Sequence, residues 1–157
     1  TQGYLNSLIT LARKKDVRLL YIPEKFAPER QLLPSGEKIY SLRDAYIHAD
    51  FITYPSLYEG FGNALIETIY FRKPFLINRY QIFKDDIEST GIKAVKMDGE
   101  IIDQVVMSVR ELLFDQKKSE ELTNMNVKIA RQYYSYEKAR SILREVFESF
   151  KQPGITA

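Results

Sequence analysis

Short, largely apolar runs alternate along this chain with segments of helical period, and that alternation is the strongest constraint on its fold. Residues 17–22, 51–54, 75–77 and 92–95 each read as a brief strand, two of them stopped by Pro23 and Pro55. Strands of this kind, joined by helices, make a parallel sheet whose two faces are both covered. In such open sheets ligands bind beyond the carboxyl ends of the strands, where a strand runs into the next helix. That rule singles out two turns, residues 54–63 and 77–80.

The helices follow from spacing. Leu5, Leu8, Ile9 and Ala12 recur at i, i+3, i+4 and i+7, and Arg13, Lys14 and Lys15 close the last turn. Ser41 is placed to cap a short helix through Ala49. Residues 63–72 and a segment near 82–88 read as helices, and Asp98-Gly99 as a turn. Three apolar stripes fill the last third: Ile101, Ile102, Val105, Val106, Val109, Leu112 and Leu113; then Leu122, Met125, Ile129, Ala130 and Tyr133; then Ala139, Ile142, Leu143, Val146, Phe147 and Phe150. Residues 23–37 hold three prolines and Ser35-Gly36, which predicts a long surface loop.

Composition excludes several classes. The chain has 157 residues, enough for one domain or one lobe of something larger. It has no cysteine, so disulfides, cysteine-based zinc sites and a thiol nucleophile are ruled out. The 23 Lys and Arg against 21 Asp and Glu do not suggest a nucleic-acid partner. No apolar run approaches the ~18 residues that span a bilayer. The N-terminus has no signal-peptide layout and starts at Thr1, so a cytoplasmic domain cut from a longer protein is expected. His48, the one histidine, is expected in mid-helix and has no second histidine or carboxylate at ligand spacing, so no metal site is expected. The 11 tyrosines and nine phenylalanines lie mostly at apolar positions and read as core, with Tyr133, Tyr134 and Tyr136 joining the last helices.

The chemistry-bearing stretch is Pro55-Ser56-Leu57-Tyr58-Glu59-Gly60-Phe61-Gly62-Asn63, followed four residues later by Glu67. Glycines at the mouth of a helix let the backbone approach a ligand and take positive φ. The helix N-terminus adds unpaired N–H groups and the positive end of the dipole, which suits a diphosphate. No lysine follows Gly62, so this is not a P-loop, and the spacing fails the dinucleotide fingerprint. Glu67, at i+4 from Asn63, falls on the side of the helix that faces the glycine turn. Two ionised carboxylates accept hydrogen bonds in pairs, as vicinal hydroxyls require. A glycine turn followed by a dipole-stabilising glutamate would read the same way with no ligand at all.

The ordered set Ala49-Asp50, Pro55-Ser56, Glu59-Gly60-Phe61-Gly62, Glu67 and Lys73-Pro74 resembles the signature of retaining glycosyltransferases of family 4, or group 1. Residues 46–50 and 134–139 extend the resemblance over nearly the whole chain. It implies one Rossmann-like lobe of a GT-B fold with a helical C-terminal cap: residues 1–157 as a single nucleotide-sugar-binding lobe of a two-domain protein, without its first strand–helix unit. By the same resemblance Glu59 contacts the donor sugar near the reacting centre. Backbone amides of Gly60, Phe61, Gly62 and Asn63 hold sugar hydroxyls and diphosphate, Glu67 accepts from the ribose, and Ile39 and Tyr40 lie near the base.

The expected reaction moves a hexose from a nucleoside diphosphate sugar to a hydroxyl acceptor with retention, without metal or other cofactor. The expected partners are that donor and the protein's own N-terminal domain; peripheral membrane attachment of the parent stays open. An arginine and a lysine neutralise the leaving diphosphate in the family, from a unit that should precede Thr1. The isolated lobe is therefore expected to bind weakly and to turn over nothing. The segment Asn78-Arg79-Tyr80-Gln81 departs from the family's small glycine-rich loop, and Arg79 reads as solvated or salt-bridged. A nucleotide-sugar epimerase of the same architecture, or a non-catalytic binding module, are the alternatives.

Overall fold

The computed structural model describes residues 2–150, which fall into two compact units divided between Ala45 and Tyr46. The first unit opens with helix α1 (Gln2–Lys14), whose half-buried positions are Leu5, Leu8, Ile9 and Ala12, as the period requires. Residues 17–22 do not form the expected buried strand. They join no described ladder, and Val17 is 59% and Leu20 62% exposed. A strand exists through its neighbours' hydrogen bonds, and in this unit the described ladder is a short antiparallel pair, β1 (Gln31–Leu32) with β2 (Lys38–Ile39). Strand β1 lies inside the 23–37 stretch expected to be loop and β2 directly follows it, with the turn between them closed at Gly36 (φ +81°). Tyr40 pairs back through its N–H to Lys25 C=O and its C=O to Ala27 N–H, both at 2.8 Å.

Helix α2 (Leu42–His48) starts directly after Ser41, but the cap is reversed. The Asp44 carboxylate accepts from Ser41 N–H (2.8 Å) and Ser41 Oγ (2.9 Å), the return half of a capping box. The Arg30 guanidinium also bonds that carboxylate and, with Ser41, holds it well below the usual carboxylate range.

In the second unit β3 (Ile52–Tyr54), β4 (Phe75–Asn78) and β5 (Val95–Met97) form a parallel sheet in the order β3-β4-β5. The central β4 is buried at every position, and alternation sends its residues into two cores. Phe75 and Ile77 pack with Leu65 and Ile69 of α3 (Asn63–Tyr70) and with Phe83, Ile87 and Ile92. Leu76 packs on the other side with Val95, Met97, Val105 and Leu112, the last two from α4 (Asp103–Phe114). Helices thus cover both faces. Full burial of each such side chain contributes about 1.5–3 kcal/mol.

Helix α3 ends at Tyr70, two residues short of expectation. Arg72 turns left-handed (φ 52°) and its N–H reaches Ile69 C=O, while Pro74 bars continuation. The expected helix near 82–88 is a wide π-type turn over Phe83–Ile87, followed by a 3₁₀ turn. Strand β5 starts three residues later than the 92–95 run suggests, although Ile92 is itself core.

Two long helices complete the chain, α5 (Gln116–Tyr134) and α6 (Tyr136–Ser149). The stripe expected on α5 holds in part: Leu122, Ile129 and Ala130 are half-buried against the two cores, but the deepest residues are others. Thr123 and Asn126 are buried, whereas Met125 and Tyr133 are about half exposed. Asn126 succeeds there because its carboxamide accepts from Lys93 N–H and donates to Lys93 C=O, both at 2.7 Å. Helix α6 keeps its predicted apolar stripe but buries none of it; Phe147 is 63% exposed. No helix among the described residues is long and apolar enough to cross a membrane.

Candidate functional site

The sheet brings three loops together at its carboxyl edge, and buried Asn78 ties them. Its Nδ2 donates to Ser56 C=O (3.1 Å) and its Oδ1 accepts from Gly99 N–H (2.7 Å), so the turns after β3 and β5 are held to the end of β4. The next residue continues the ladder, with Arg79 N–H donating to Met97 C=O at 2.8 Å.

On this frame residues 55–62 run from β3 into α3. Gly62 stands at the N-cap with φ +87°, ψ +70°, and no side chain caps the helix. Glycine is needed here twice over: the conformation is left-handed, and a Cβ would lie 2.8 Å from Tyr80 Oη and 3.1 Å from Tyr54 Oη. Gly60 differs, because its φ is not positive and a Cβ there would meet open space. The uncapped first turn of α3 leaves backbone N–H groups facing the loop, as an anion requires.

Glu59 is half-buried, whereas Asn63 and Glu67 are exposed on successive turns of α3. Beneath them stand three tyrosines that sequence reading assigned to the core without a further role. Tyr80 Oη donates to Phe61 C=O (3.2 Å) and Tyr46 Oη to Ala64 C=O (3.4 Å), while the Tyr54 and Tyr80 rings lie 6.3 Å apart. Burial, reinforced by the negative charge of Glu59, pushes the Tyr54 hydroxyl up to about 12. Burial also raises Tyr80, again with Glu59 contributing, and Tyr46, where Glu67 contributes. All three stay protonated near neutrality, and Tyr80 and Tyr46 donate to backbone carbonyls of the turn and of α3. Their signal was positional: Tyr54 and Tyr80 bound the two turns that the strand-end rule singled out.

Phe61, Asn63, Ile66 and Glu67 form one wall of a cavity of about 550 Å³; Tyr133, Tyr134 and the start of α6 form the other. The tyrosine cluster joins the last helices only in part, since Tyr136 is 89% exposed. Ile39 and Tyr40 belong to the other unit, at the end of β2. His48 is the exposed last residue of α2 rather than a mid-helix position, and no group of three metal-ligating side chains occurs among the described residues.

Arg79 is salt-bridged. It meets Glu88 at 3.0 Å and Asp98 at 3.1 Å, and Lys96 and Lys84 bind the same two carboxylates. Lys96 and Arg79 hold Glu88 below its ordinary value, and Arg79 and Lys84 do so for Asp98. A depressed carboxylate stabilises the fold above its unfolded value and loses that contribution as pH falls through the folded one. The urea midpoint should therefore be level between pH 8 and 6 and drop below about pH 4. A midpoint unchanged down to pH 3 would refute a stabilising network.

Among curated proteins the chain is similar to the mannosylglucosylglycerate synthase of Thermotoga maritima, with 34% identity over 159 residues, which is 92% of this chain and 35% of that protein. It is also similar to the mannosylglucosylglycerate synthase of Petrotoga mobilis, with 39% identity over 94 residues, 60% of this chain and 21% of that protein. The chain thus spans little more than a third of the first relative's length. No protein-family model matches the chain, and no solved structure does so significantly.

Proposed function

We propose that the chain is the nucleotide-sugar-binding lobe of a retaining GT-B glycosyltransferase of the group 1 type. The parent protein transfers a hexose from a nucleoside diphosphate sugar to a hydroxyl acceptor. The observation that carries this reading is the convergence of an uncapped helix N-terminus, the Glu59–Asn63 turn and the exposed Glu67 carboxylate at the carboxyl edge of a parallel sheet. Similarity to two sugar-transferring synthases supports it independently. In this reading Glu59 orients the sugar, the amides of Gly60, Phe61, Gly62 and Asn63 hold the diphosphate, and Glu67 accepts from the ribose hydroxyls. The cations Arg79, Lys84 and Lys96 are engaged with Glu88 and Asp98, so the charge that neutralises the leaving diphosphate comes from the rest of the parent.

Amide chemical shifts of this chain, titrated with UDP, GDP, ADP and their sugar conjugates, test the proposal. Saturable shifts are expected at Gly60, Gly62 and Asn63 for one base. Glu67→Ala should abolish them while moving stability by less than about 0.5 kcal/mol, because Glu67 is exposed. Binding that survives Glu67→Ala would remove that residue's role.

A further inference from the structure

Both ends of the turn between β3 and α3 are held from one short segment at the end of β4. Asn78 Nδ2 donates to Ser56 C=O at 3.1 Å, and Tyr80 Oη donates to Phe61 C=O at 3.2 Å. Segment 78–81 is also where the chain departs from the family it resembles, so a tyrosine under the glycine turn is a feature of this chain and not of that signature. The Tyr80 ring is firmly placed. It is 3% exposed, belongs to the core cluster with Ile77 and Phe83, and its own N–H donates to Asn78 C=O at 2.8 Å.

The peptide between Phe61 and Gly62 is trans, so its C=O and N–H point in opposite directions. With the carbonyl turned in to Tyr80, the Gly62 N–H points away from that hydroxyl. Among the described residues it meets no acceptor, and neither do the N–H groups of Gly60, Phe61 and Asn63. Gly62 is itself buried, where an N–H without a partner is costly unless water or a ligand takes it. Successive N–H groups of this kind form an anion-binding concavity. Glycine alone does not fix their direction. Flipping the peptide plane changes φ of Gly62 by about 180°, and glycine occupies φ of either sign with similar ease. The flipped plane would turn Phe61 C=O toward an anion and repel it.

We propose that Tyr80 is a positioning residue, whose hydroxyl holds the 61–62 peptide with its N–H, and not its carbonyl, toward a bound diphosphate. The inference deepens the donor-lobe reading and rests on it for the place of the anion at the turn. It adds a residue from the end of β4, outside the turn and α3, that sets how well the turn binds.

Tyr80→Phe removes one oxygen and keeps the ring in the core. The chain and this variant are titrated with UDP, GDP and ADP and, separately, with inorganic pyrophosphate, following the Gly62 amide. Affinity should fall roughly fivefold in the variant, the worth of one hydrogen bond. The free variant should also show ¹⁵N relaxation dispersion at residues 60–63, or a changed Overhauser effect between Phe61 Hα and the Gly62 amide proton, since both report the flip. A loss of stability alone moves neither in the folded chain. Nucleotide binding unchanged by Tyr80→Phe would overturn the inference and leave the donor lobe standing. A response to pyrophosphate but to no nucleotide, weakened in the variant together with the signs of the flip, would uphold the inference and count against the donor lobe. Weaker binding with neither sign of the flip would overturn it, because the hydroxyl would then act by another route. A Gly62 amide silent toward all four ligands would overturn it outright.

Discussion

Gly62→Ala is expected to lower the melting temperature by roughly 5–15 °C. Alanine in the left-handed region costs about 1–2 kcal/mol. Its methyl would also press on Tyr80 Oη at 2.8 Å and Tyr54 Oη at 3.1 Å, both on rings held in or against the core, which adds about 1–2 kcal/mol of overpacking. The sum, on the order of 2–4 kcal/mol, converts to that shift for a domain of this size. Gly60→Ala, at a position with ordinary φ and open space, should stay within about 0.5 kcal/mol. A double-mutant cycle isolates the contact: in a Tyr80→Phe background the clashing oxygen is gone, so the cost of Gly62→Ala should fall by about 1 kcal/mol or more. Strict additivity of the two substitutions would show that the Tyr80 hydroxyl does not shape the turn.

Asn126→Ala should destabilise the second unit by about 2–4 kcal/mol. The carboxamide is 1% exposed, and its removal leaves Lys93 N–H and C=O without their partners. Asn126→Asp gives a sharper test because it keeps the shape. A protonated aspartic acid donates to Lys93 C=O, while the ionised form accepts from Lys93 N–H but faces that carbonyl with a negative oxygen. Its folded pKa should therefore lie above the unfolded value. The variant is then nearest to wild type at low pH and loses ground as pH rises through the folded pKa. In urea titrations the gap between Asn126→Asp and wild type should widen by about 1 kcal/mol or more from pH 4 to pH 7. A gap independent of pH would mean that Asn126 does not clamp α5 to the strand.

The outcome at residues 17–22 shows where a linear reading stops. That run has the composition of a buried strand, as do 51–54 and 75–77, yet only the latter two join a ladder. Composition reports what a segment tolerates; a hydrogen-bonded neighbour decides whether a strand forms. The second helical stripe was legible only in part, with Leu122, Ile129 and Ala130 packed on the cores. Hydropathy favoured Met125 and Tyr133, but Thr123 and Asn126 are the buried residues, because their polar atoms find partners. Stripe three was read correctly as a helix face, but hydropathy carries no information on what covers it.

Around the candidate site, local chemistry was enough to place the turn after β3, the start of α3 at Asn63 and the burial of β4, since glycine at a strand-to-helix junction and unbroken apolar runs act through nearest neighbours. Long-range packing decided the rest. Asn78 sews three loops together, and Arg79 is spent on Glu88 and Asp98. The Tyr54 and Tyr80 hydroxyls rise under Gly62, and the α5–α6 junction forms the second wall of the open cavity that Glu67 lines. Each joins residues from different elements, and such pairings leave no period in the chain because their energy depends on distances that only the folded backbone sets.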